Sequence, residues 1–186
     1  MRLFGLPALL AASVFAAPGD YPEADAAPES SGKALRSPGA VDWDIGFRGS
    51  IGEETYKLGL GGQLGVIYGS GAHSDLGLHL NYSYFRPKHI QTTMREYGGF
   101  ITWYRVPHLK DQPFQMRLGP HVGVAFFQSD DFNRWFVDLG GDLMIVFEAN
   151  PNFHYYLCFS PAYQLAVPSV SLSQTMFRVG FGVEFR

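Results

Sequence analysis

Three residues in the second half of the 186-residue chain suggest a catalytic row. If segments 113–128 and 135–148 fold as a hairpin about residues 131–132, His121 falls opposite Asp142. Folding 135–148 against 153–167 about residue 151 then sets Asp142 opposite Ser160. Histidine, acid and serine are the members of a nucleophilic triad. A triad, however, needs the imidazole between the other two, so that one base touches both. Here the acid holds the middle, and the row reads as a ladder that satisfies buried polar groups. His79 and Ser83 share a face, but four residues of strand hold them about 13 Å apart, too far for proton transfer.

The other candidates are weaker. Cys158 is the single cysteine, which excludes an intramolecular disulfide framework and any zinc site built on several thiolates. The same folding places it between Met144 and the glycine-rich last segment, where packing is the ordinary role of a lone buried thiol. His121, Asp142 and His154 with Glu148 could approach a metal, but no ligand spacing supports a site. Gly59-Leu60-Gly61-Gly62 and Gly69-Ser70-Gly71 are followed by neither lysine-serine nor a helix, so they are not phosphate loops. No catalytic, cofactor-binding or metal site is predicted, and no cofactor.

The elements that hold these residues are strands. The chain is 46% hydrophobic and 16% aromatic, too apolar for a disordered protein, and its 22 glycines are too many for a helical bundle. A net charge of −3 argues against nucleic acid as a partner. From Asp42 onward the apolar residues alternate with period two. Eight segments show it: 42–51, 56–68, 76–86, 95–106, 113–128, 135–148, 153–167 and 174–186. Short turn-rich connections such as Asn150-Pro151-Asn152 predict an antiparallel meander, with no room for crossover helices.

Ahead of the strands stand two other texts. Arg2, an apolar stretch from Leu3 to Phe15 and the small-residue site Val14-Phe15-Ala16 read as a secretory signal over residues 1–16. The stretch is too short to cross a bilayer and contains Pro7. Residues 17–41 are rich in proline, alanine and glutamate and read as a flexible periplasmic linker. The domain proper is 42–186.

The faces of the strands decide between two architectures. Seven segments have one face free of charge, as in Phe177, Val179, Phe181, Val183 and Phe185. The opposite faces carry Asp42, Asp44, Asp138, Asp142, Glu148 and Glu184 against Arg48, Lys57, Arg117, Arg178 and Arg186, close to balance. The facing of the fourth segment is open, because Arg95 and Arg105 share a parity with Ile101 and Trp103 while Glu96 shares one with Phe100, Thr102 and Tyr104. A soluble barrel would need a charged exterior. A continuous face of large apolar residues, aromatics near segment ends and a glycine-rich, nearly charge-balanced second face favour an eight-stranded antiparallel up-and-down transmembrane β-barrel, an all-β fold.

The signal, the eight amphipathic segments and the last stretch Arg178-Val179-Gly180-Phe181-Gly182-Val183-Glu184-Phe185-Arg186 resemble small bacterial outer-membrane β-barrels of the broad OmpA/OmpX type, over about residues 42–186. The resemblance implies a bacterial outer-membrane location and contact with outer-membrane lipid and lipopolysaccharide. It also implies a final strand read by the barrel-assembly machinery, with Phe181 and Phe185 as the signal. That family usually ends on an aromatic residue; here Phe185 is penultimate and Arg186 follows. Both termini would face the periplasm, with outer loops near 52–55, 87–94, 129–134 and 168–173. All are short. Recognition would rest on Pro87–Thr93 or Ser129–Arg134, which read as solvated turns.

Three functions are open at this point. One is a non-enzymatic barrel for envelope structure or surface interaction, its lumen plugged by Asp44, Arg48, Lys57, Arg117, His121, Asp138, Asp142, Arg178 and Glu184. A second is a narrow porin-like channel, resembling the OmpW type, for small hydrophobic or ionic solutes. The third is a lipid-modifying acyl hydrolase using His121 or a neighbour. The lipid A deacylase type carries a His-x-Ser pair, and none of the six histidines here has serine two residues on. Eight strands leave an interior just wide enough for its own side chains, which favours the first.

Overall fold

The computed structural model describes residues 39–52, 58–71, 73–86, 93–107, 112–130, 133–167 and 173–186. The expected signal segment, most of the expected linker and Lys57 lie outside the described residues, as do parts of all four expected outer loops. The strands are β1 (Val41–Gly52), β2 (Gly59–Gly71), β3 (Ser74–Phe85), β4 (Met94–Arg105), β5 (Phe114–Gln128), β6 (Asn133–Asn150), β7 (Phe153–Val167) and β8 (Gln174–Phe185). Each pairs antiparallel with its chain neighbours, and β1 pairs with β8 to close the barrel. Closure leaves no unpaired edge.

Successive side chains of a strand point to opposite faces, so the sequence alternation becomes an inside and an outside. In β1 the burial pattern alternates almost without fault. The outside is the apolar face: Phe47 is 69% exposed and Trp103 64%. At about 25 cal/mol per Å² of apolar surface, such a belt in water would forfeit much of the stabilisation that burial supplies. Lipid is the solvent that fits it. The belt is bordered by two aromatic girdles. Trp43, Tyr68, Trp103, Phe147, Tyr155 and Phe185 ring the end that carries both termini, and Tyr82, Tyr84, Tyr97, Trp135 and Phe177 ring the other. The open question of β4 is resolved: Glu96, Phe100, Thr102 and Tyr104 point inward, and Arg95, Ile101, Trp103 and Arg105 point outward.

The registers follow the expected hairpins with one correction. Met144 pairs with Cys158, as a fold about residue 151 predicts, and Cys158 pairs with Gly180 on β8. The β5–β6 hairpin is tighter than the spacing suggests. Gln128 pairs with Asn133, so His121 lies opposite Gly140 and Asp142 opposite Gly119. The reason is that β6 starts at Asn133, inside a polar stretch that reads as loop.

Candidate functional site

The interior is built from the buried parity of all eight strands. Two arginines tie it across. Arg117 on β5 donates from Nη1 to Glu184 on β8 at 2.5 Å, and its Nε lies 3.1 Å from Asp75 Oδ2 on β3. Arg178 on β8 pairs with Asp138 on β6 and lies 3.0 Å from Glu96 Oε1 on β4. These four strand pairs are not adjacent, so each guanidinium spans the lumen. All six side chains are buried, and hydrogen bonds between ionised groups in such surroundings are the stronger kind. Gln164 adds bonds to Asp138 at 2.9 Å and Glu96 at 3.3 Å, and Gln174 donates to Gln164 at 2.8 Å.

The row of His121, Asp142 and Ser160 is present with its acid in the middle. Ser160 Oγ donates to Asp142 Oδ1, and Thr102 Oγ1 donates to Asp142 Oδ2 at 2.6 Å. The register correction puts His121 diagonally between two acids. Its Nδ1 lies 2.9 Å from Asp142 Oδ1 and its Nε2 3.0 Å from Asp138 Oδ1. Carboxylates only accept, so both contacts are satisfied together by an imidazolium that donates from each nitrogen. Gly140 makes this geometry possible, because a Cβ there would come within 2.6 Å of the His121 ring. Ser160 meets no base in this arrangement, and the group forms a clamp rather than a charge-relay system.

A second cluster gathers around Asp44. Gln63 Nε2 and the Tyr156 hydroxyl each donate to Asp44 Oδ1 at 3.2 Å, and His79 Nδ1 lies 3.4 Å from Oδ2. Gly65 faces this cluster for a steric reason: a Cβ there would lie 2.0 Å from Asp44 Oδ2. Arg48 departs from the expected ion network. It is buried, but its guanidinium carbon sits 4.9 Å from the centroid of the Phe100 ring, a cation–π contact, and its Nε and Nη1 meet no hydrogen-bond partner. It borders a cavity of about 10 Å³ that Gln63, Phe100, Tyr104, Asp142, Met144 and Cys158 also line. That is room for about one water molecule.

Two features escape the sequence reading. Asp75 and Glu96 join the interior and Glu148 leaves it, exposed at the end of β6. Among the described residues the buried charges are therefore seven carboxylates (Asp42, Asp44, Asp75, Glu96, Asp138, Asp142, Glu184) against three arginines (Arg48, Arg117, Arg178) and the His121 imidazolium, an acid excess rather than a balance. The second feature is apolar. Phe85, Met94, Ala125, Phe127, Phe136, Ala166 and Met176 form a buried cluster inside the barrel at the end away from the termini. The Phe127 ring centroid lies 5.8 Å from that of Phe85 and 4.9 Å from that of Phe136. The expected assembly residues lie on the other face: Phe181 and Phe185 are exposed near the end of β8, and Phe181 packs 5.6 Å from Phe47.

A closed, eight-stranded antiparallel meander is a specific fold, and solved structures share it. The chain matches the crystal structure of Neisserial surface protein A at a TM-score of 0.58 and 13% identity, covering 78% of this chain and 94% of that one. It has the fold of a small outer-membrane β-barrel. The crystal structure of Ail, the attachment invasion locus protein of Yersinia pestis, in complex with the heparin analogue sucrose octasulfate, matches at a TM-score of 0.51 and 18% identity. There the match covers 80% of this chain and all of the other. No protein-family model matches the sequence, and no curated protein does.

Proposed function

We propose that this outer-membrane barrel is a non-enzymatic, non-conducting protein of the cell envelope, whose interior serves stability and whose outer face serves structure or surface interaction. The observation that carries the reading is the pair of cross-lumen ties, Arg117 with Glu184 and Asp75, and Arg178 with Asp138 and Glu96. A conducting pore of this width would need those side chains to leave the axis. The apolar cluster beyond them adds a layer that repels water. The central acid in the His121–Asp142–Ser160 row speaks against acyl transfer, since Ser160 donates to the acid and not to a base. Outer-membrane lipid and lipopolysaccharide are the partners that suit the belt. Phe181 and Phe185, presented outward on the last strand, suit recognition by the barrel-assembly machinery.

The test is single-channel recording in planar bilayers. Wild-type protein should stay silent, while Arg178→Ala, which breaks a tie, and Asp142→Ala, which frees the His121 clamp beside it, should leak ions. Steady wild-type conductance would replace this reading with that of a narrow channel. Lipid A mass spectrometry with and without the gene tests the enzymatic alternative, and should show no difference in acylation.

A further inference from the structure

At the end of the barrel that carries the termini, Asp42 on β1, His154 on β7 and Glu184 on β8 converge. The strand ladder explains why. Glu184 is in register with His154 on one side and with Asp44 on the other, and Asp42 is the next inward-facing residue of β1. One ligand atom from each lies within 4.8 Å of the others, and all three residues are buried. His154 is 2% exposed, and its Nδ1 has no hydrogen-bond partner. A buried ring nitrogen without a partner is costly.

We propose that Asp42, His154 and Glu184 form a binding site for a divalent first-row transition ion, with zinc as the reference case. One imidazole and two carboxylate oxygens with water completing the shell is a donor set that suits such ions and disfavours magnesium and calcium, which take oxygen alone. A tetrahedral ion with bonds of 2.0–2.2 Å holds its ligand atoms about 3.4 Å apart, so the three must draw in by about an ångström. The site is shared with two arginines: Arg186 Nε lies 3.0 Å from Asp42 Oδ1 and Arg117 Nη1 donates to Glu184 Oε1, so a bound ion competes with these pairings for the carboxylates. The acid excess of the interior favours a bound cation rather than an anion.

Isothermal titration of metal-stripped protein, refolded in detergent, with zinc chloride tests the proposal. One zinc per barrel is expected, and magnesium chloride should give no heat of binding. His154→Ala should weaken zinc binding by about tenfold or more, since even residues outside the coordination shell change metal affinity by about 10–100-fold. His73 is exposed at the turn before β3, and His73→Ala should leave the affinity unchanged. If His154→Ala fails to fold, His154→Gln should show the same loss in a barrel of wild-type circular dichroism. Arg186→Ala should bind more tightly, because it releases an Asp42 oxygen. Absence of saturable zinc binding, or equal affinity in wild type and the His154 variants, overturns the site. Affinity that is unchanged in Arg186→Ala removes Asp42 from it and overturns the three-ligand form.

Discussion

The two ends of the interior differ in what they bury. The end toward the termini sets charge beside apolar packing: Arg117, Glu184, Asp75 and Asp42 are buried there with His154, next to a cluster of Ile67, Tyr104, Met144, Val146, Tyr156 and Cys158. The far end is filled by Phe85, Phe127, Phe136, Met94 and Met176. Between them the His121 clamp and the Arg178 tie mark the change. The ionic end specifies partners, because each charge must meet a counter-charge at one place. The apolar end specifies only volume. A barrel needs the first to fix the registers of its strands and the second to exclude water cheaply. The difference teaches that one face of a membrane barrel is not uniform along its length, even though its parity is.

Breaking the ionic half should have the largest effect. Arg178→Ala leaves Asp138 and Glu96 without their shared cation, and should cost about 3–5 kcal/mol in urea unfolding of the refolded barrel. Replacing Asp138 as well should recover part of that loss; no recovery would mean the tie contributes through shape and not charge. Next come the lipid-facing positions, which belong to neither end. Leu139→Arg and Val179→Arg should each cost about 2–4 kcal/mol near the midplane. Little change in either would mean the faces are inverted. At the apolar end, Phe127→Leu keeps the chemistry and removes a little volume, so about 1 kcal/mol is expected. A loss as large as that of Arg178→Ala would show that the apolar layer is as particular about its partners as the ionic one. Glu148→Gln should matter least, within about 0.5 kcal/mol, because Glu148 is exposed. A loss comparable to that of Arg178→Ala would return it to the interior network.

What the sequence made legible was the period, and with it the strand count, the closure and seven of the eight facings. The reason is physical: alternation is imposed at every residue by the pleat, so it survives local exceptions. The facing of β4 was hidden because Arg95 and Arg105 sit near its ends, where the lipid face gives way to water and a long cation is tolerated. The register of β5 against β6 was off by two because alternation does not say where a hairpin turns. The polar residues of the 129–134 stretch read as loop, although β6 starts within it at Asn133. That shift hid the double contact of His121. Asp75 lay one residue outside its expected segment. The apolar cluster did leave a trace. Tyr84-Phe85, Phe126-Phe127 and Trp135-Phe136 are adjacent aromatic pairs at strand ends, and each must send one ring to lipid and one inward. Convergence of Asp42, His154 and Glu184 could not be read, since it needs the closing ladder between β1 and β8.

Cys158 turns the filled interior into something that can be timed. Its sulfur is buried against Gly180, where a Cβ would come within 2.8 Å of it, and it is the only thiol in the chain. A folded barrel should therefore ignore a water-soluble maleimide, and an unfolded or unfinished one should take it up at once. Pulses of reagent added after dilution from urea would freeze each molecule as labelled or unlabelled. The unlabelled fraction would trace how fast the interior packs around β7, without a current or a ligand to follow.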